Sequence, residues 1–185
     1  RDRVFAVLLE DAMELKQIYD VQNLKLRFKT KKALEIKTLK FHNGLIYGIC
    51  GNFGSGKTSL LKVLAGETKQ TGGTVLYQGN EFKKGFFGKI KKHQDIQYLD
   101  VKSVNSSLTV EQFINKKFPK KTQQIKSRHF TSFQMEAVWK TPINLISDGE
   151  KHWLKTVIGV EKDPRVLLID DLSLIHISEP TRLTR

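Results

Sequence analysis

A chain of 185 residues with 39% hydrophobic content is long enough for one domain with a sizeable core, but no apolar run approaches the roughly 18 residues needed to cross a bilayer, so a soluble piece is expected. Its single cysteine, Cys50, excludes an internal disulfide and fits a reducing, cytoplasmic setting; at the end of an apolar run it reads as a buried small hydrophobe. The net charge of +13 gathers at Lys83-Lys84, Lys89 to Lys92, Lys116-Lys117 and Lys120-Lys121, a balance that fits RNA, DNA or anionic lipid; without regular basic–aromatic interleaving, a solvated lysine surface is favoured over nucleic-acid binding.

The start at Arg1 rather than Met leads us to expect a piece of a longer chain. Residues 4–15 place Phe5, Leu8, Leu9 and Ala12 on one helical face, so residues 1–16 read as a leftover upstream helical segment. Ile18 to Phe28 alternates apolar and polar residues, and Ala33 to Phe41 does so again with Leu34, Ile36 and Leu39 on one side. Two half-buried antiparallel strands are predicted. Leu45 to Cys50 then forms a short apolar run that reads as a buried strand.

Next comes Gly51-Asn52-Phe53-Gly54-Ser55-Gly56-Lys57-Thr58, which matches the phosphate-binding pattern G-x-x-x-x-G-K-(S/T) at every fixed position. Ser59 to Ala65 follows as a helix, giving the strand, glycine turn and helix that such a loop requires. Glycines at 51, 54 and 56 permit positive φ and bring backbone N–H groups close to phosphate oxygens, and the helix start adds partial positive charge. Lys57 would set a point charge on the β- and γ-phosphates, and the Thr58 hydroxyl would ligate Mg²⁺. Residues 51–59 are therefore the candidate nucleotide site, Ser59 included.

Gly66 is placed to close the helix, and Gly73 to Tyr77 with Gly79 reads as a short strand and turn. Ile96 to Leu99 is a predicted core strand. Thr109 to Phe118 is a predicted helix opened by a Thr109-x-x-Gln112 capping box. Residues 119–146, with Pro119 and Pro142, read as a loosely built helical insert. Ser147 to Lys162 resumes a helix that Pro164 ends, and Val166 to Ile169 is a buried strand closing on Asp170-Asp171.

The ordered set of motifs resembles the nucleotide-binding domain of ATP-binding cassette (ABC) proteins over residues 17–171. Ile146-Ser147-Asp148-Gly149-Glu150 resembles the family signature L-S-G-G-(Q/E), and Val166 to Asp171 resembles its acidic strand h-h-h-h-D-E. Lys162-Asp163-Pro164-Arg165 is similar to the turn before that strand, and Leu108 to Ile114 is similar to the segment opening the helical subdomain. The resemblance implies an α/β fold: a P-loop core with a parallel sheet, an N-terminal antiparallel β-subdomain and a helical insert at about 105–162, truncated at its C-terminal end. It implies that Phe28 stacks on adenine, that Asp170 holds Mg²⁺ through water, and that Asp171 orients the attacking water beside catalytic Lys57. Ser147, Gly149 and Glu150 would meet ATP held by a second ATPase subunit, and a membrane-spanning permease would be the further partner, at the inner face of the cell membrane. Without the resemblance, core packing suits Phe28 as well as stacking does.

The sequence also departs from the family. Asp100 and Val101 stand where its Q-loop glutamine is expected, Trp153 replaces an arginine, and Asp171 is one methylene shorter than glutamate. Asp148 replaces the first signature glycine and would face the partner's phosphate, which disfavours closure of two identical subunits. Leu172 to Arg182 resembles the translation of a sequencing adapter, so residues 172–185 are expected to be non-native and His176 is not assigned as the family's switch histidine. The resemblance implies an ATPase that powers transport. A soluble cassette acting on ribosomes or nucleic acid, and a non-hydrolysing regulatory cassette, are the alternatives.

Overall fold

Among the described residues, alternating apolar positions organise most of the first half of the chain into strands, with one helix among them. The computed structural model describes residues 4–6, 16–28, 31–83, 85, 90–100 and 104–170, with backbone alone at 4–6, 28, 31 and 32. The chain divides into two compact units, Arg1–Ile96 and Gln97–Arg185.

In the first unit, β1 (Val4–Ala6) pairs antiparallel with β4 (Tyr47–Ile49). The long strands β2 (Gln17–Phe28) and β3 (Lys31–His42) form the expected antiparallel pair, and β2 continues to β5 (Gly72–Tyr77) and β6 (Asn80–Glu81), giving the order β3-β2-β5-β6. The inward positions of β2 are Tyr19, Val21, Leu24 and Leu26, all buried; the step from Val21 to Leu24 spans three residues, so the two-residue period breaks there. Asn23 has φ 49° and Gly73 φ 79° at a shift in the β2–β5 register between Gln22 and Lys25. This bulge lets Leu24 rejoin the core face.

Helix α1 (Lys57–Leu64) buries Leu60, Leu61, Val63 and Leu64. Gly66 follows its cap residue Ala65 with φ 69°, its amide reaching the Val63 carbonyl at 3.0 Å while the Glu67 amide reaches the Lys62 carbonyl at 2.8 Å. These two bonds are a Schellman ending. Tyr19 adds a third tie, its hydroxyl donating to the Leu64 carbonyl at 2.9 Å. Burial, with Tyr77 nearby, pushes this phenol far above its ordinary pKa, so it remains a donor.

Beyond Ile96, the last residue of the first unit, β7 (Ile96–Leu99) and β8 (Val166–Ile169) have the expected bounds and form a two-stranded parallel sheet, but β8 is half-buried along its whole length and not the buried strand expected. Between them lie α2 (Val110–Lys117), α3 (Thr122–His129), α4 (Phe133–Lys140), a 3₁₀ turn at Ile143–Leu145, and α5 (Asp148–Glu161). The Thr109–Gln112 capping box at α2 is present. Asp163, at φ 52°, turns the chain after α5 before Pro164, a conformation that aspartate tolerates better than most residues.

Four further expectations are corrected. Val4–Ala6 is strand rather than part of a helix, because pairing with β4 satisfies its backbone groups. Residues 119–146 are not loosely built: Ile125, Phe130, Val138, Trp139 and Ile143 form one buried cluster with Val110, Ile114 and Leu154, and the Phe130 ring lies 4.7 Å from Trp139 and 4.8 Å from Trp153. Leu45 to Cys50 is not uniformly buried, since Ile46 is 85% exposed and the strand is limited to Tyr47–Ile49. Cys50 itself is exposed, because β4 pairs only with β1 among the described residues and Cys50 already belongs to the loop beyond it. The tail at 172–185 lies outside the described residues.

The bulge generates a test. A Cβ at Gly73 would lie 2.2 Å from the Asn23 carbonyl oxygen, at a positive φ that side chains resist. Gly73→Ala should lower stability by about 2 kcal/mol or more, a fall in melting temperature of roughly 4–8 °C. A calorimetric scan showing a change below about 1 °C would mean that the bulge does not constrain this position.

Candidate functional site

The loop Gly51–Thr58 joins β4 to α1, and its shape comes from two glycines. Gly54 has φ 78° and Gly56 has φ 96°, ψ 13°, immediately before the first helical residue. A Cβ on Gly56 would sit 2.7 Å from the Ala33 carbonyl oxygen and 3.1 Å from Leu34 Cδ1, so the loop presses onto β3 where only glycine fits. The Ser55 amide reaches the Asn52 carbonyl at 3.1 Å, and Phe53 at the outer tip is fully exposed.

Gly56 gives α1 no side-chain cap, and its first turn carries no acidic residue. First-turn amides lack intrahelical acceptors, so Lys57, Thr58 and Ser59 present donors and partial positive charge at this end, a combination that suits an anion. The Lys57 ammonium curls over the loop and donates to the Gly51 carbonyl at 2.7 Å and the Asn52 carbonyl at 3.0 Å. A cavity of about 520 Å³, in the range of small-molecule sites, opens beside Ser55, Gly56 and Lys57 against Leu34 and Ile36 of β3, with Cys50 on its wall.

The second unit holds the other candidates. Ser147 caps α5: its Oγ accepts from the Glu150 amide at 3.3 Å, while Glu150 Oε2 accepts from the Ser147 amide at 2.7 Å and from the Ser147 hydroxyl at 2.8 Å. The Ser147-x-x-Glu150 spacing is itself the sequence pattern of a capping box. Gly149 is exposed on the first turn. The Asp148 carboxylate, 84% exposed, pairs with Lys151 Nζ at 3.3 Å, which moderates the charge expected to oppose a partner's phosphate.

Asp170 directly follows β8 and is 5% exposed; its amide donates to the Leu99 carbonyl at 3.0 Å and its Oδ2 accepts from the Tyr98 hydroxyl at 3.0 Å. Gln97 lies within β7, and Lys155 of α5 grips Asp100 through both its carbonyl and Oδ1. No local pattern marked Tyr98 or Lys155, because each partner lies more than fifty residues away. Phe28 is the last residue of β2, where only its backbone is described, and Asp171 lies outside the described residues.

The ABC transporter family model matches residues 34–173, and the chain belongs to that family. Among relatives, it is 29% identical over 151 residues to the energy-coupling factor transporter ATP-binding protein EcfA2 of Thermotoga maritima, covering 76% of this chain and 54% of that protein. It is 26% identical over 162 residues to the uncharacterized ABC transporter ATP-binding protein YybJ of Bacillus subtilis, covering 82% and 70%. The chain spans only about half of EcfA2 and 9% of the mouse organic anion transporter ABCA8A, to which it is 26% identical over 78% of its own length. In structure it resembles cbiO1 of Clostridium perfringens, with a TM-score of 0.62 and 19% identity over 84% of this chain and 66% of that one. A likeness at that identity shows the fold, and the fold is that of an ABC ATPase domain, as expected.

The capping box at α5 is open to direct measurement. Ser147→Ala should cost about 1 kcal/mol, or roughly 2–4 °C in melting temperature. An unchanged melting temperature would show that Ser147 does not hold the start of α5.

Proposed function

We propose that this chain binds and hydrolyses ATP to power transport through a separate membrane-spanning permease, acting from the cytoplasmic face of the membrane. The observation that carries this reading is the Gly51–Thr58 loop, whose backbone, uncapped helix start and lysine converge beside a cavity of nucleotide scale. Membership of the ABC transporter family supports the transport role.

In this reading, the amides of residues 54–59 and the Lys57 ammonium hold the β- and γ-phosphates, Lys57 exchanging two carbonyl partners for phosphate oxygens. Phe28 stacks on adenine. Hydroxyl and carboxylate oxygens from Thr58 and Asp170 are hard donors of the kind Mg²⁺ takes, and the ion would neutralise phosphate charge when bound. Asp171 orients the attacking water. Ser147, Gly149 and Glu150, at the start of α5, face ATP on a second ATPase subunit. Catalysis is then positioning and charge stabilisation around the γ-phosphate.

A regulatory cassette that binds ATP without turning it over is the second reading, favoured by Asp148 on the first turn of α5 and by Asp100 being committed to Lys155. Both readings are tested together by measuring ATP turnover of the chain with its permease in vesicles, with ribosomes and RNA, and alone. The transport reading predicts stimulation by the permease and its loss in Lys57→Ala. Stimulation by RNA or ribosomes alone would select the nucleic-acid cassette, and ATP binding with background turnover in every mixture would select the regulatory one.

A further inference from the structure

Tyr98 is the side chain that ties β7 to the acidic end of β8. Its hydroxyl donates to Asp170 Oδ2 at 3.0 Å, next to the 3.0 Å bond from the Asp170 amide to the Leu99 carbonyl. A carboxylate only 5% exposed needs its lone pairs matched. A donor fixed on one oxygen also restrains rotation of the carboxylate plane and thereby selects how the second oxygen is presented.

The strand carrying this hydroxyl is itself held. On one side of Tyr98, Gln97 Oε1 accepts from Lys162 Nζ at 2.9 Å. On the other, Asp100 is gripped by Lys155, a side chain 14% exposed on α5. The Tyr98 backbone is therefore anchored through both flanks to α5 and the turn after it, and a shift of its hydroxyl would have to strain these bonds.

We propose that Tyr98 is a positioning residue for Asp170: its hydroxyl presets the carboxylate geometry with which Asp170 takes Mg²⁺ through water. The proposal rests on the assignment of Asp170 to the metal, and its chemistry is that of an outer-shell donor orienting a ligand.

The test is the Mg²⁺ requirement of ATP binding by the full chain, measured by calorimetry for the wild type, Tyr98→Phe, Asp170→Asn and the double variant. Tyr98→Phe removes one hydroxyl and keeps the ring. It should leave ATP affinity in chelator unchanged and raise the Mg²⁺ concentration for half-maximal enhancement by about tenfold. The double variant should be no worse than Asp170→Asn alone, because Tyr98 acts through that carboxylate. A wild-type Mg²⁺ requirement in Tyr98→Phe, beside a lost response in Asp170→Asn, overturns the proposal while sparing the metal assignment. Additive losses in the double variant also overturn it, since they describe a structural residue. A wild-type response in Asp170→Asn refutes the metal assignment and the role of Tyr98 with it.

Discussion

The backbone at Gly56 is the constraint on which the candidate site depends. Its φ of 96° turns the chain from the loop into α1, and its missing side chain lets the loop approach the Ala33 carbonyl oxygen of β3. Any larger residue would have to change both the turn and the approach. With Gly56 in place, the first-turn amides of α1 and Lys57 converge beside the cavity. The far end of the helix is fixed independently, by the Schellman ending at Gly66 and by the Tyr19 hydroxyl on the Leu64 carbonyl. The helix is thus tied to the β-sheet at both ends, which fixes where its positive end points.

The same device, a helix secured at each end, recurs in the second unit with different chemistry. α5 starts in the Ser147–Glu150 capping box and ends at a buried carboxylate. Glu161, 4% exposed, accepts from Arg128 at 3.2 Å and from His129 at 2.9 Å, both from α3. A carboxylate at a helix C-terminus opposes the dipole, and burying it costs solvation, so the two donors offset a penalty and add little net stability. Their effect is to specify where α5 ends relative to α3. Trp153, standing where the family pattern has arginine, packs on Phe130 at 4.8 Å and faces His129 at 6.3 Å, so the departure joins the apolar cluster instead of leaving a gap.

Much of this was legible because it is written in short-range chemistry. The strands at 96–99 and 166–169, the phosphate loop and the Thr109 cap all follow from residues within a few positions of one another. Three kinds of feature were hidden. Residues 119–146 look polar because their eight-residue helices spend few positions on the core, yet those few include Phe130 and Trp139, among the largest fully buried side chains. Cys50 and Ile46 look like core by composition, but hydropathy does not reveal whether a neighbouring strand covers them. The Tyr98–Asp170 bond joins residues seventy-two positions apart, and only the pairing of β7 with β8 brings them together.

The central claim is that residues 51–59 form a backbone cradle for the phosphates of ATP. Calorimetric titration of the full chain with ATP and Mg²⁺ tests it most directly, with adenosine as the competitor lacking phosphate. Saturable binding of one ATP per chain is predicted, with a Kd on the order of micromolar, about −8 kcal/mol, and with adenosine at least a hundredfold weaker, a difference of roughly 2.7 kcal/mol or more. Equal affinity for ATP and adenosine, or no binding of ATP at millimolar concentration, would contradict it.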